Sequence, residues 1–409
     1  MSVETKAAVG SANEMRAQLW KDNLRDYGLL GSLLLIVLFF YLITEDHASL
    51  APANITNLVM QNSYVVIMAL GMLLVIVAGH IDLSVGSIVG FVGAVAGSLM
   101  VYEKLPYPLV MVIALIIGIA IGGAQGYLVA YAKIPSFIVT LGGMLIFRGL
   151  TGNLLLGQFV GPFAKGFQNI ASGFIPDFSD IGAFQSSLPE WAHLKWLTLI
   201  IGVLGAGAMF VLALRRWFKA HAEGIEAEPL PLLLVKNLIF AAIIVGIAWS
   251  LALYKGMPII LVIMAALALF YAFVTTRTVV GRRIYAIGGN RLAAALSGVK
   301  TERLTMLTFV NMGLLAGLAG LVVAARLNSA TPSAGNSFEL DVIAACFIGG
   351  VSASGGVGKV LNVVIGALFM GVMNNGMSLI GLGIFWQQVV KGIVLLAAVY
   401  VDVYQKNKG

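Results

Sequence analysis

Long apolar runs alternate with short polar breaks along almost the whole chain. Runs close to the roughly 20 residues that cross a bilayer as a helix fall at about 28–43, 57–78, 83–101, 108–131, 136–156, 196–214, 236–254, 258–276, 304–325, 360–380 and 385–403. A further run at 341–351 is too short to cross and is expected to be re-entrant. The pattern predicts an all-α integral membrane protein of about 10–11 transmembrane helices, with broken or re-entrant segments. One transmembrane domain, 28–403, then lies between a tail at 1–27 and a tail at 404–409.

Two breaks are too short and too polar to be ordinary loops. Ala78–Gly90, AGHIDLSVGSIVG, places His80, Asp82 and Ser84 between two apolar runs. Such groups are costly in a bilayer unless they face protein or an aqueous path. Gly79, Gly86 and Gly90 let the helix stop and restart, and broken helices at depth line cavities. Asp82 has a second reading, as the cap of the helix that follows. Ile348–Gly358, IGGVSASGGVG, also runs from a glycine-rich break into a small-residue helix. The pair reads as an internal repeat, with a path between its halves. Asn62, His80, Asp82, Ser84, Asn311, Asn374 and Asn375 are the candidates to line it, with Gln61, Gln387 and Gln388 as further span amides. Amides offer donors and acceptors without charge and suit a neutral polyhydroxylated solute, although each also serves to join helices. Arg148 and Lys391 stand isolated, which argues against a charge relay.

Charge orients the chain. With the N-terminus inside, the inner loops and tails hold 17 Lys and Arg against five outside, as the positive-inside rule requires. The most basic loop is 277–303. Within it Asn290 caps a predicted short helix over Arg291–Ser297, and Gly298 ends it. Arg282, Arg283, Gly288, Asn290, Arg291, Ala294, Ser297 and Gly298 are the candidates for a docking surface that receives a soluble subunit. A helix of about two turns is unstable alone, and Leu292, Leu296 and Val299 are expected to supply its apolar support. The competing reading is an ordinary basic loop folded on its own helices. Outside, 157–195 is a large loop bearing Phe159, Phe163, Phe167, Phe174, Phe178, Phe184 and Trp191, read either as a lid or as a landing surface for an external protein. Inside, 215–235 reads as a solvated linker.

The composition, 60% hydrophobic and 11% charged, excludes a soluble domain. The net charge of +7 follows from loop ends between spans and points to a membrane rather than to nucleic acid. The lone Cys346 rules out an internal disulfide. The first 27 residues do not read as a signal peptide. GGVGKV at 355–360 lacks the Gly at 353 and the Ser or Thr at 360 of a phosphate-binding loop, so ATP, if used, binds another subunit. No span holds a metal pair or a nucleophile with its base, which argues against an enzyme.

Four segments together resemble a known family: GRRIYAIGGNRLAAALSGV, AGHIDLSVGS, KIPSFIVTLGGMLIFRGL and GGVSASGGVG. They are similar to the permease subunits of bacterial monosaccharide ABC importers, the ribose/xylose/galactose type, and the likeness runs from about residue 28 to the end. His80 and the C-terminal stretch from Ala367 resemble the xylose branch, whereas Lys359 departs from the small hydroxyl residue common in relatives. The resemblance implies a homodimer in the inner membrane, among lipids, with both termini cytoplasmic and no nucleic-acid partner. It implies a cytoplasmic ATPase subunit holding ATP and Mg, docked on 282–299, and a periplasmic sugar-binding protein meeting the outer loops. The chain itself would need no cofactor and hold no metal. The alternatives are a permease for another sugar, a nucleoside or a branched-chain amino acid, and an ion-coupled transporter with Asp82 at its centre.

Overall fold

The computed structural model describes residues 28–177, 194–224 and 229–407. The tails at 1–27 and 408–409, with Phe178, Phe184, Trp191, Glu226 and Glu228, lie outside the described residues. Helices in order are α1 (Gly28–Ile43), α2 (Pro52–Gln61), α3 (Ser63–Val77), α4 (Val85–Val101), α5 (Tyr107–Ala130), α6 (Ser136–Leu155) and α7 (Lys165–Ser172). There follow α8 (Trp196–Ala222), α9 (Leu230–Ala252), α10 (Ile259–Arg277), α11 (Val279–Gly289), α12 (Arg291–Leu296), α13 (Thr301–Leu327), α14 (Phe338–Ile348), α15 (Val360–Leu379) and α16 (Ile384–Asn407). Among the described residues 8 spans are long and apolar enough to cross a membrane, α2 and α3 counting as one; three shorter apolar helices join them.

The chain divides into two compact units. The first is built on the α8–α9 hairpin, in which Gly202 lets the helices touch: a Cβ there would stand 2.2 Å from that of Ala248. Asp177 accepts a hydrogen bond from the Leu197 amide at 2.8 Å and so serves a free donor in the first turn of α8. Helix α8 extends to Ala222 and α9 begins at Leu230. The linker expected over 215–235 is therefore mostly helix, because the apolar period continues through Trp217 and Phe218.

The second unit is organised around α3, every residue of which is buried. Beside it α5 and α13 cross at glycines. A Cβ at Gly122 would lie 2.2 Å from the Phe309 carbonyl oxygen, and one at Gly313 would lie 2.2 Å from that of Gly118. Small residues let backbones approach where no water drives helices together. Beyond α13 the chain turns back in non-helical form along α4. Gly335 and Ala334 meet Gly86 and Gly90, and Ala330 meets Gly97. Gly86 and Gly90 thus do not break the helix, as the sequence reading had them do. They make room on α4 for irregular backbone, which is tolerated at this depth only when covered by protein. The break itself falls at Gly79, with φ of 86°.

Helix α14, of 11 residues, then runs along α3. Its Phe338 ring stacks on Tyr64 with centroids 3.8 Å apart, and the Cys346 thiol reaches the Ala69 carbonyl oxygen at 3.6 Å. Gly356, in the loop that follows, donates to the Val77 carbonyl oxygen at 2.9 Å. The run expected to be re-entrant therefore passes from the Tyr64 end of α3 to its Val77 end without turning back. Helix and loop together cover a length that the helix alone does not.

The start of the 157–195 loop packs on the second unit. Val160 bridges to Ala330, the Phe163 amide donates to Asn328 Oδ1 at 2.8 Å, and Phe167 of α7 is fully buried.

Candidate functional site

The basic loop is two helices, not one. Thr278 caps α11 by accepting from the Gly281 amide at 3.1 Å, and the helix runs through Gly288 and Gly289, two poor helix formers that hide it in the sequence. Asn290 caps α12 as expected, its Oδ1 accepting from the Ala293 amide at 2.9 Å, and Gly298 follows with φ of 80°. Support comes from Ala294, which is buried, and from half-buried Val299. Leu292 and Leu296, expected to face inward, point out at 72% and 82% exposure. With only six residues in α12, one small side chain fills the narrow contact and the two leucines fall on the far side. Arg282, Arg283, Arg291 and Ser297 are exposed around them.

This surface is fixed to both breaks. Gly288 faces the end of α3 so closely that a Cβ would stand 1.7 Å from the Val77 carbonyl oxygen and 2.5 Å from the Gly356 amide nitrogen. Tyr285 donates to the Gly358 carbonyl oxygen at 2.8 Å. His80 lies near enough for the charge of Arg291 to act on it, and burial, the larger cause, lowers its pKa to about 4. The α3–α4 break and the 349–358 loop therefore meet under the basic helices.

At the other end of α3 lies a cavity of about 420 Å³, whose walls include Gln61, Ser63, Tyr64, Val322, Arg326 and Phe338. Behind Tyr64 is a buried polar cluster. Its hydroxyl donates to Asp341 Oδ2 at 3.0 Å, and Asn374 Nδ2 donates to the same oxygen at 3.2 Å. Lys391 Nζ stands 2.9 Å from Asp341 Oδ1.

The seven residues expected to line one path are dispersed, and none of them lines this cavity. Asn62 joins helices, donating to the carbonyl oxygens of Leu58 at 2.9 Å and Gly371 at 3.4 Å. Asn311 Oδ1 accepts from the Tyr271 hydroxyl and ties α13 to α10. Asp82 accepts from the Ser84 amide at 2.8 Å and from its hydroxyl at 2.6 Å. Ser84 in turn meets Gln125 at about 3 Å. Asp82 therefore braces the break through Ser84, the residue before α4, rather than capping a free amide of that helix, and its carboxylate is turned into protein. Asn374 supports Asp341, and Asn375 is buried on α15. Gln61 alone of the span amides faces the cavity, while Gln387 turns back to the Leu382 carbonyl oxygen at 2.8 Å. Tyr64, Asp341 and Lys391 escaped notice as a group. Two lone opposite charges in apolar runs, Asp341 and Lys391, were the signal that could have found them.

A family model described as branched-chain amino acid transport system / permease component matches residues 54–399. The chain is 39% identical over 386 residues to the xylose transport system permease protein XylH of Escherichia coli (strain K12), covering 94% of this chain and 93% of that one. It is 38% identical over 386 residues to the xylose permease of Haemophilus influenzae, covering 94% and 98%. To the ribose import permease protein RbsC of Haemophilus influenzae it is 32% identical over 377 residues, covering 92% and 93%. No solved structure matches the chain.

Proposed function

The chain belongs to the branched-chain amino acid transport system / permease component family, and on that premise we propose that it is the membrane subunit of an ATP-driven importer of a monosaccharide, xylose before others. Xylose and ribose permeases are similar to it over nearly their full lengths. The observation that carries the reading is the capped helix α12, with Leu292 and Leu296 turned outward among exposed arginines. An apolar patch ringed by charge is what a protein partner covers.

In this reading a cytoplasmic ATPase subunit, which binds ATP and Mg, docks on Arg282, Arg283 and α12. Energy enters through contacts that differ between two states of the permease. Gly288 and Tyr285 pass the displacement to the α3 end and the 349–358 loop. A periplasmic sugar-binding protein delivers the cargo at the opposite end of the second unit, where residues 157–173 lie. A second copy of the chain completes the pore. The membrane is the bacterial inner membrane, with both termini in the cytoplasm.

Co-purification of the tagged chain, followed by ATP hydrolysis in proteoliposomes with and without xylose-loaded binding protein, tests this. A stoichiometric ATPase stimulated by the loaded protein is expected. A chain that purifies alone and transports down an ion gradient would overturn the reading. Stimulation by ribose- or leucine-loaded protein in place of xylose would reassign the cargo.

A further inference from the structure

We propose that the cavity beside Tyr64 is a sugar-binding site within the permease itself, so that selection among cargoes does not end at delivery; this rests on the transport reading above. At about 420 Å³ the cavity is in the range of small-ligand pockets. Its polar groups are few and open. Gln61 and Arg326 both face it, and neither forms a side-chain hydrogen bond or ion pair with a described residue. Tyr64 and Phe338 offer an aromatic wall, stacked at 19°. The Tyr64 hydroxyl is engaged by Asp341, so that ring meets a ligand with carbon rather than oxygen.

An apolar wall with a few convergent donors matches a pyranose, which has a C–H face and a rim of hydroxyls. Gln61 both donates and accepts, and the planar guanidinium of Arg326 can donate to two neighbouring hydroxyls at once. A zwitterionic amino acid fits worse. Its carboxylate would find Arg326, but among the described residues no acidic side chain lines the cavity to receive its ammonium group. Asp341, behind the Tyr64 ring, is occupied by Lys391, Tyr64 and Asn374. The ligand class is therefore a neutral monosaccharide.

The test pairs two measurements. Radiolabelled xylose is bound to the full chain in lipid nanodiscs, and xylose uptake is followed in proteoliposomes holding the assembled importer. Saturable binding is expected, weakened about tenfold or more by Gln61→Ala and by Arg326→Gln. Leucine and xylonate should not compete, and uptake should fall in both variants. Retained co-purification with the ATPase shows that each variant is folded. Normal wild-type uptake without saturable binding, or binding that neither substitution weakens, overturns the site and leaves the transport reading standing. Competition by leucine or xylonate stronger than by xylose overturns the ligand class. No uptake of xylose by the wild-type assembly overturns both.

Discussion

Lys391 Nζ and Asp341 Oδ1 stand 2.9 Å apart, joining α16 to α14, with the carboxylate side chain 1% exposed. A charge in such a place persists only when paired, and here the pair is completed by Tyr64 and Asn374. Removing one partner, by Lys391→Met or Asp341→Asn, should cost roughly 3–5 kcal/mol, because it strands or underserves the other. The double variant should lose less than the sum. Thermal unfolding of the four proteins in detergent closes the cycle, and additive losses would show that the two side chains are not coupled.

The proposed docking at α12 should depend on its cap and on its two outward leucines. Asn290→Ala should weaken the local helix by about 1 kcal/mol, and Leu292→Ser with Leu296→Ser should remove the apolar patch. Both should reduce recovery of the ATPase on the tagged chain while shifting its melting temperature by no more than about 2 °C. Phe159→Ser, at a site also exposed at 74%, serves as the control and should leave recovery intact. Equal recovery from all variants would place the ATPase elsewhere.

Neighbouring glycines at the end of α11 should behave oppositely. A Cβ at Gly288 meets backbone on two sides, 1.7 Å from the Val77 oxygen and 2.5 Å from the Gly356 nitrogen, whereas nothing lies within 4 Å of one at Gly289. Gly288→Ala should therefore abolish folded protein or ATPase coupling. Gly289→Ala should be neutral to within about 0.5 kcal/mol. Yield and melting temperature decide between them, and a tolerated Gly288→Ala would mean that α11 can lift away from α3.

Acid should loosen the same region. Burial and Arg291 lower the pKa of His80 from 6.5 to about 4. The unfolded chain thus binds the proton more readily, and the stabilising contribution of neutral His80 is present above pH 6.5 and lost as pH falls toward 4. Melting temperature should decline across that window, and His80→Gln should flatten the decline. An unchanged profile in the variant would assign the acid sensitivity to other groups.

What could be read from the sequence followed the range of the interactions. The Asn290 cap and the Gly298 stop involve residues within a turn of one another, and both were legible. So was a local role for Asp82 at the break, since its partner Ser84 is two residues away, although it does not cap α4. The Tyr64–Asp341 bond spans 277 positions and has no local signature, so Lys391 looked solitary. An amide such as Asn311 in a span has two uses, and its bond to Tyr271, 40 positions away, has no local signature. The outward turn of Leu292 and Leu296 was hidden for a similar reason: the face a two-turn helix buries depends on what it lies against.

Helix α14 touches Tyr64 at one end, and at the other it leads into the loop that Gly356 bonds to Val77 beneath the basic helices. A stiff rod held at both ends transmits in either direction. If the ATPase alters how tightly the cavity holds its sugar, an occupied cavity alters the affinity for the ATPase by the same factor, since linkage between two binding equilibria is reciprocal. The rod that would let ATP drive the sugar forward is then also the means by which the sugar reports its arrival.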